Sequence, residues 1–300
     1  MLLNSSFKGH FLAIFTIGVW GITFSSTKIL LADFAPSEIL FIRFLIAFVF
    51  LSALCRHSIG FCGLKYEVIF IFAGLFGGCL YFLAENIALQ YTSASNASLL
   101  VAINPFFTGL LFAIFYHKKV SRFFIFGFIF ACVGIILVIF QGNFHIEIYP
   151  VGDFLCILAG LTWSIYTLFL EMIFKHFKAY SHIVILKKIF FYGLIWTLPV
   201  MCYENGIING DFEAILHFSR YMDITNALNL LFLGVVASGL CYLTWNMSLK
   251  FLGSLKASVY IYAVPVVGVS AACILLGESI SLYIIIGGIL TLFGIFLSQK

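Results

Sequence analysis

The stretch "ENIALQYTSASNASLLVAINP" at residues 85–105 has a counterpart later in the chain, "WNMSLKFLGSLKASVYIYAVP" at 245–265. A shift of 160 residues sets Pro105 on Pro265, Asn86 on Asn246, Leu89 on Leu249, and "NAS" on "KAS". The same register carries Ser121 onto Ser281, Gly127 onto Gly287 and Gly134 onto Gly294. Earlier in each half a shift of 143 applies, because the loop after the seventh apolar run is longer. It sets Trp20 on Trp163 and Phe34 on Phe177. The chain therefore reads as two related units, 1–143 and 144–300.

Both units are apolar. Of the 300 residues 63% are hydrophobic and 9% charged, against roughly 25% charged in soluble domains, so a globule of this chain has too few charges to cover itself in water. Mean hydropathy is +1.14. The solvent expected is largely lipid. Thirty-seven Phe and five Pro argue against disorder. Ten apolar runs approach the roughly 20 residues a spanning helix needs. They cover about 10–31, 36–55, 67–90, 96–116, 122–140, 151–171, 183–203, 225–249, 256–276 and 281–298. The first follows "MLLNSSFKGH", is long for a signal peptide and lacks a nearby cleavage pattern, so it reads as a retained span.

Five runs per unit is an odd number, so the second unit must enter the bilayer in the opposite sense. The fold class expected is an all-α integral membrane protein of ten transmembrane helices, arranged as two inverted five-helix repeats. In such carriers the substrate site lies near the midplane between the halves. Cations set the orientation. With the N-terminus in the cytoplasm, Lys8, Arg56, Lys65, Lys118, Lys119, Arg122, Lys175, Lys178, Lys187, Lys188, Lys250, Lys256 and Lys300 fall on or beside that side. Only Lys28 and Arg220 fall at or beyond the opposite end, and Arg43 lies within a span. Both termini are thus expected in the cytoplasm, and the cell inner (plasma) membrane is the expected location.

Several motifs resemble those of the drug/metabolite transporter superfamily, specifically its ten-span EamA-type branch. They are the "WGITF" opening "WGITFSSTK" (20–28), Pro36 followed seven residues on by Arg43, "ALQYTSASNASLL" with its later Pro (88–105), and "LLGESIS" (275–281) with the following Gly-Gly. The resemblance covers nearly the whole chain. It implies a bundle around a central cavity that moves a small metabolite by alternating access; similar members export amino acids or related compounds. The first half has "FYHKKVS" (115–121) where the second has "LLGESIS", so any role the family gives Glu278 is not duplicated.

Polar groups inside apolar runs are the candidate site. Helical spacing puts Trp20, Thr23, Phe24 and Thr27 on one face. That stripe either lines a cavity or serves packing, since Thr hydroxyls bond their own helix's carbonyls. Arg43 sits roughly 10 Å inward from Pro36 at 1.5 Å per residue, and Glu85 lies at a similar depth. Intramembrane charges are costly and usually pair or face water. A partnership of Glu85 with Arg43 or Lys28 is either a structural pin or part of coupling, with Glu85 exchanging a proton or a cation engaging a substrate carboxylate. Lys28 also reads as a residue snorkelling to the headgroups. Trp245 occupies the position equivalent to Glu85. Asn86 and Asn246 are interhelical glue or ligands. Tyr81, Tyr242, Tyr260, Tyr262 and Trp163 add aromatic lining or packing. Pro105 and Pro265 interrupt matching helices, the strongest pointer to a transport site.

Other classes fit less well. Most of the eight cysteines lie in apolar runs and no C-x-x-C occurs. No metal-binding spacing and no ATP-binding motif is present, and no cofactor is expected. The small net charge of +4 gives no reason to expect nucleic acid. An intramembrane enzyme lacks its nucleophile and base, so no enzymatic activity is expected. An uptake carrier or exchanger on the same scaffold, and a channel, remain as alternatives. The partners expected are a small-molecule substrate and the lipid bilayer, with the chain monomeric or homodimeric.

Overall fold

The computed structural model describes residues 2–115, 122–140, 150–208, 219–253, 257 and 259–298. Lys118, Lys119, Lys256, Lys300, Glu147, Asp211 and Glu213 lie outside these residues. Every element among them is helical. We label α1 Leu2–Leu30, α2 Pro36–Leu54, α3 Leu64–Tyr91, α4 Ala94–Phe115, α5 Arg122–Phe140, α6 Pro150–His176, α7 His182–Gly206, α8 Ile224–Leu252, α9 Val264–Leu276 and α10 Leu282–Ser298. A single turn, Ser219–Met222, precedes α8.

Seven of these helices (α1–α4 and α6–α8) are long and apolar enough to cross a bilayer; the apolar stretches of α5, α9 and α10 are shorter. Large apolar side chains such as Phe126, Ile129, Ile289 and Phe296 stay exposed on α5 and α10. Exposed apolar surface on this scale suits lipid rather than water. The protein is a multi-pass integral membrane protein.

Helix ends follow local chemistry. Pro36 occupies the first turn of α2, where its missing N–H costs nothing. Ser93 caps α4, its hydroxyl accepting from the Asn96 N–H at 3.0 Å. Gly277 ends α9 with φ of 67°, a left-handed backbone that glycine adopts freely. Within the spans the winding is irregular at matched places. α3 widens to a π-helix over Leu75–Leu80 and α8 over Phe232–Leu240. α4 breaks at Ala102–Ile103, just before Asn104 and Pro105. α9 is preceded by a 3₁₀ turn, Val259–Ala263, just before Pro265.

Helix neighbours are reciprocal between the halves. α1 packs on α8 and α9, as α6 packs on α3 and α4; α2 packs on α7 and α8, as α7 packs on α2 and α3. α5 packs closely on α10. There, a Cβ on Gly134 would meet the Gly287 carbonyl oxygen at 2.5 Å, and one on Gly294 would meet that of Gly127 at 2.4 Å. The repeated glycines thus let two backbones touch, the usual device where lipid supplies no hydrophobic drive. Residues from both halves share one core; Phe44 of α2 stacks on Phe190 of α7 with ring centroids 4.7 Å apart.

Candidate functional site: a small cavity between the halves

A cavity of about 40 Å³ lies where α1, α2, α3, α4, α6 and the start of α9 meet. It has room for about three water molecules, far below the roughly 300 Å³ or more of a ligand pocket. The described conformation therefore leaves no room there for a metabolite.

The walls come from the irregular points of the fold. Val101, Ala102 and Asn104 line it from the break in α4, Ile261 from the 3₁₀ turn before α9, and Val264 from the start of α9 itself. Trp20, Thr23 and Phe24 line it from α1, Trp163 from α6, and Tyr81, Phe82 and Glu85 from α3. Asn104 is tied in place, its carbonyl accepting from Ser164 at 2.9 Å and its Oδ1 from Thr108 at 3.1 Å.

Two ionisable groups face this space. Arg43 is 1% exposed, and its Nε donates to Ser238 Oγ at 3.0 Å. Ser238 stands in the π segment of α8, so the widened turn brings a second-half hydroxyl to a first-half guanidinium. The guanidinium also lies over the Phe82 ring, 4.2 Å from its centroid. Its Nη1 has no protein partner. Glu85 is likewise 1% exposed, with Oε1 unpartnered; the Tyr81 hydroxyl, one turn back, approaches the carboxyl. Arg43 and Glu85 lie within electrostatic reach without touching. Direct ion pairs do form elsewhere, as in Lys188–Glu67 and Arg220–Glu38.

Behind the charges stands an aromatic cluster. Trp20 contacts Trp163, Trp245 and Tyr242 with centroids 5.4, 5.3 and 5.7 Å away, and Tyr81 contacts Trp163 at 4.9 Å. The π segments hold it. Trp20 Nε1 donates to the Ala237 carbonyl at 3.0 Å, and the Tyr242 hydroxyl donates to the Gly77 carbonyl at 3.1 Å. Gly77 and Ala237 are one repeat apart, 160 residues. A π turn displaces carbonyls from the regular ladder, and each half gives one to an aromatic donor.

Of the residues singled out from sequence, Trp20, Thr23, Phe24, Arg43, Tyr81, Glu85 and Trp163 reach the cavity. Tyr242 and Trp245 form the layer behind it. Asn86 and Asn246 are fully buried away from it; Asn86 Nδ2 donates to the Pro36 carbonyl at 3.0 Å, whereas both amide atoms of Asn246 are unpartnered. Tyr260 turns to His10, 2.5 Å from its Nδ1. Tyr262 packs with Ala131 of α5. Pro105 and Pro265 do not line the space but stand beside Asn104 and Val264, which do. Lys28 does not meet Glu85. Its ammonium donates to the carbonyls of Leu89 and Thr92, the latter at 2.9 Å, and so closes the end of α3.

Sequence reasoning passed over Phe82, Val101, Ala102, Ile261 and Val264, apolar residues with no mark to separate them from their neighbours. It also left Glu278 without a structural role. That carboxylate accepts from the Ala94 N–H at 2.9 Å, the Ser95 N–H at 3.2 Å and the Ser95 hydroxyl at 2.7 Å, so it seals the start of α4. At the same end Thr92 donates to Asp153 at 3.0 Å.

The family model described as EamA-like transporter family matches residues 7–140 and again 150–299. The chain belongs to the EamA-like transporter family. This EamA protein is 27% identical over 300 residues to an uncharacterized transporter of Archaeoglobus fulgidus, spanning 97% of each chain. It is 26% identical to a probable amino-acid metabolite efflux pump of Salmonella typhimurium, over 97% of this chain and 94% of that one. A protein of the same description from Escherichia coli is 24% identical over the same shares. One crystal structure has the same fold, with a TM-score of 0.62 at 18% identity over 98% of each chain. The EamA protein is thus a membrane transporter of the drug/metabolite transporter superfamily.

Proposed function

We propose that this EamA protein is a secondary transporter that exports amino acids or related small metabolites by alternating access. In this reading ten helices span the inner (plasma) membrane as two inverted repeats, 1–143 and 144–300, with both termini cytoplasmic. The reciprocal packing of α1–α5 and α6–α10 supports the repeat. An odd number of spans in each half makes the inversion necessary.

One observation carries the substrate class. Arg43 Nη1 and Glu85 Oε1 are a buried donor and a buried acceptor, both unpartnered, at one cavity. Buried polar groups are rarely left so. A zwitterion answers both, its carboxylate on the guanidinium and its ammonium on the carboxylate, while the Trp20–Trp163 wall takes an apolar side chain. The relatives described as probable amino-acid metabolite efflux pumps favour the same cargo. Glu85 is the candidate coupling group, releasing a proton as ammonium arrives. Direction follows the gradients, so uptake or exchange runs on the same site.

The test is reconstitution in liposomes with a panel of labelled amino acids, in both directions and with or without a pH gradient. Saturable flux, and efflux accelerated by unlabelled amino acid on the opposite side, are expected. Linear flux without such acceleration would point to a channel, and indifference to every zwitterion would remove the substrate class.

A further inference from the structure

A second cavity, of about 560 Å³, opens between the end of α2, the 55–63 loop, α3 and α7. It lies at the end of α3 opposite to Glu278. Two ammonium groups form its floor, Lys187 and Lys188, at 6% and 7% exposure. Lys188 is fully answered: its three N–H groups have Glu67 at 2.9 Å, the Gly60 carbonyl at 2.7 Å and Cys62 Sγ at 3.5 Å. Glu67 is in turn occupied by Lys188, by the Tyr192 hydroxyl and by the Cys62 N–H at 3.1 Å. Burial, and then the bond to Glu67, push the Cys62 thiol up, so it stays neutral and adds no negative charge.

Lys187 is different. It donates to two neutral carbonyls, those of Cys55 at 2.8 Å and His57 at 3.0 Å. An ammonium has three N–H groups, so one remains, together with the whole charge. The groove therefore holds one net positive charge without a carboxylate. Such a charge within a spanning segment is costly unless an anion meets it. The hydroxyls of Ser52 and Ser58 stand in the same wall as further donors. The rim is of another kind. Phe61 is 76% exposed and Phe191 47%, giving an apolar edge beside the charge.

We infer that this groove binds the phosphate of an anionic membrane glycerophospholipid on Lys187, with the acyl chains lying along Phe61 and Phe191. Basic pockets between spanning helices are the known sites of such headgroups. Free phosphate would meet the same ammonium but leave the aromatic rim uncovered.

Native mass spectrometry of the purified full chain tests this, with phosphatidylglycerol or phosphatidylcholine added. The informative variant is Ser58→Glu, because Ser58 is exposed on a loop and a new carboxylate there repels phosphate without disturbing the fold. The intact protein is expected to retain phosphatidylglycerol under activation that strips phosphatidylcholine. Ser58→Glu is expected to lower that retention about fivefold, the effect of one charge at a headgroup site. Excess inorganic phosphate is expected to leave the lipid in place. Equal retention of the two lipids, retention unchanged in Ser58→Glu, or displacement by inorganic phosphate would each overturn the assignment. The last outcome would mark a free-anion site. Lys187→Gln adds a check where it folds; Ser58→Glu decides where it does not.

Discussion

Helices α3 and α8 stand one repeat apart and share a backbone. Both widen to a π segment, Leu75–Leu80 and Phe232–Leu240, and both carry an asparagine beyond it, Asn86 and Asn246. Their chemistry differs. α3 places Glu85 on the cavity where α8 places Trp245 behind it. Asn86 bonds the Pro36 carbonyl, while the Asn246 amide meets nothing in this conformation. The duplicated backbone supplies the irregular turns, the freed carbonyls and the cavity. The unduplicated side chains supply a direction within it, with acid and guanidinium facing one space and indoles closing the other side.

The largest effect that tests this asymmetry is expected from Arg43→Leu. It removes the guanidinium and leaves Glu85 as the cavity's buried charge. Losing one member of a desolvated charged contact costs 2–5 kcal/mol, so amino-acid counterflow should fall about a hundredfold. A rate within a few-fold of the unaltered protein would show that the substrate does not use this cation. Next is Glu85→Gln, which keeps the shape and removes the proposed coupling group. Accumulation driven by a pH gradient should be lost while exchange without a gradient persists; unchanged proton dependence would take coupling away from Glu85.

Smaller effects sharpen the contrast between the two helices. Trp20→Phe keeps a ring against Trp163 but gives up the bond to the Ala237 carbonyl in the π segment of α8. A loss of about 1 kcal/mol is expected, read as about a fivefold weaker apparent substrate affinity. Asn86→Leu should cost about 1 kcal/mol of stability by leaving the Pro36 carbonyl without its donor. Asn246→Leu should stay within about 0.5 kcal/mol. Thermal unfolding of both variants in one detergent gives the comparison. Equal losses would mean that the Asn246 amide is satisfied in the folded protein as Asn86 is.

Much of the fold was legible because a bilayer leaves the chain few choices. Backbone groups in lipid must bond within a helix, so most of the apolar runs marked helices within a few residues; the ninth, expected from 256, becomes the helix α9 only at Val264, after the 3₁₀ turn Val259–Ala263. α1 begins earlier, at Leu2, because nothing ends a helix where the apolar run starts. The glycines aligned as Gly127/Gly287 and Gly134/Gly294 carried the repeat register, and the structure shows that they also let α5 and α10 touch. The site was legible in part. Glu85 and Arg43 stood out as charges in apolar sequence, and the two tryptophans as a repeated pair. Equal depth, however, could not say which way a side chain turns. Lys28 has a depth suited to Glu85 and instead closes the end of α3. Tyr260 shares a helix segment with the lining residue Ile261 and turns to His10. The π segments had no sequence mark beyond the glycines near them.

By itself the sequence determined that this chain lives in lipid, that its halves are related, and that charge was kept at a few interior positions. Those follow from the energetic penalty on polar groups in hydrocarbon, which acts residue by residue and is written in composition and spacing. Only the tertiary structure decided which interior groups meet. Arg43 finds Ser238, Trp20 finds Ala237, and Glu85 keeps an open oxygen, because π turns and helix breaks re-aim side chains by angles that a one-dimensional pattern does not hold.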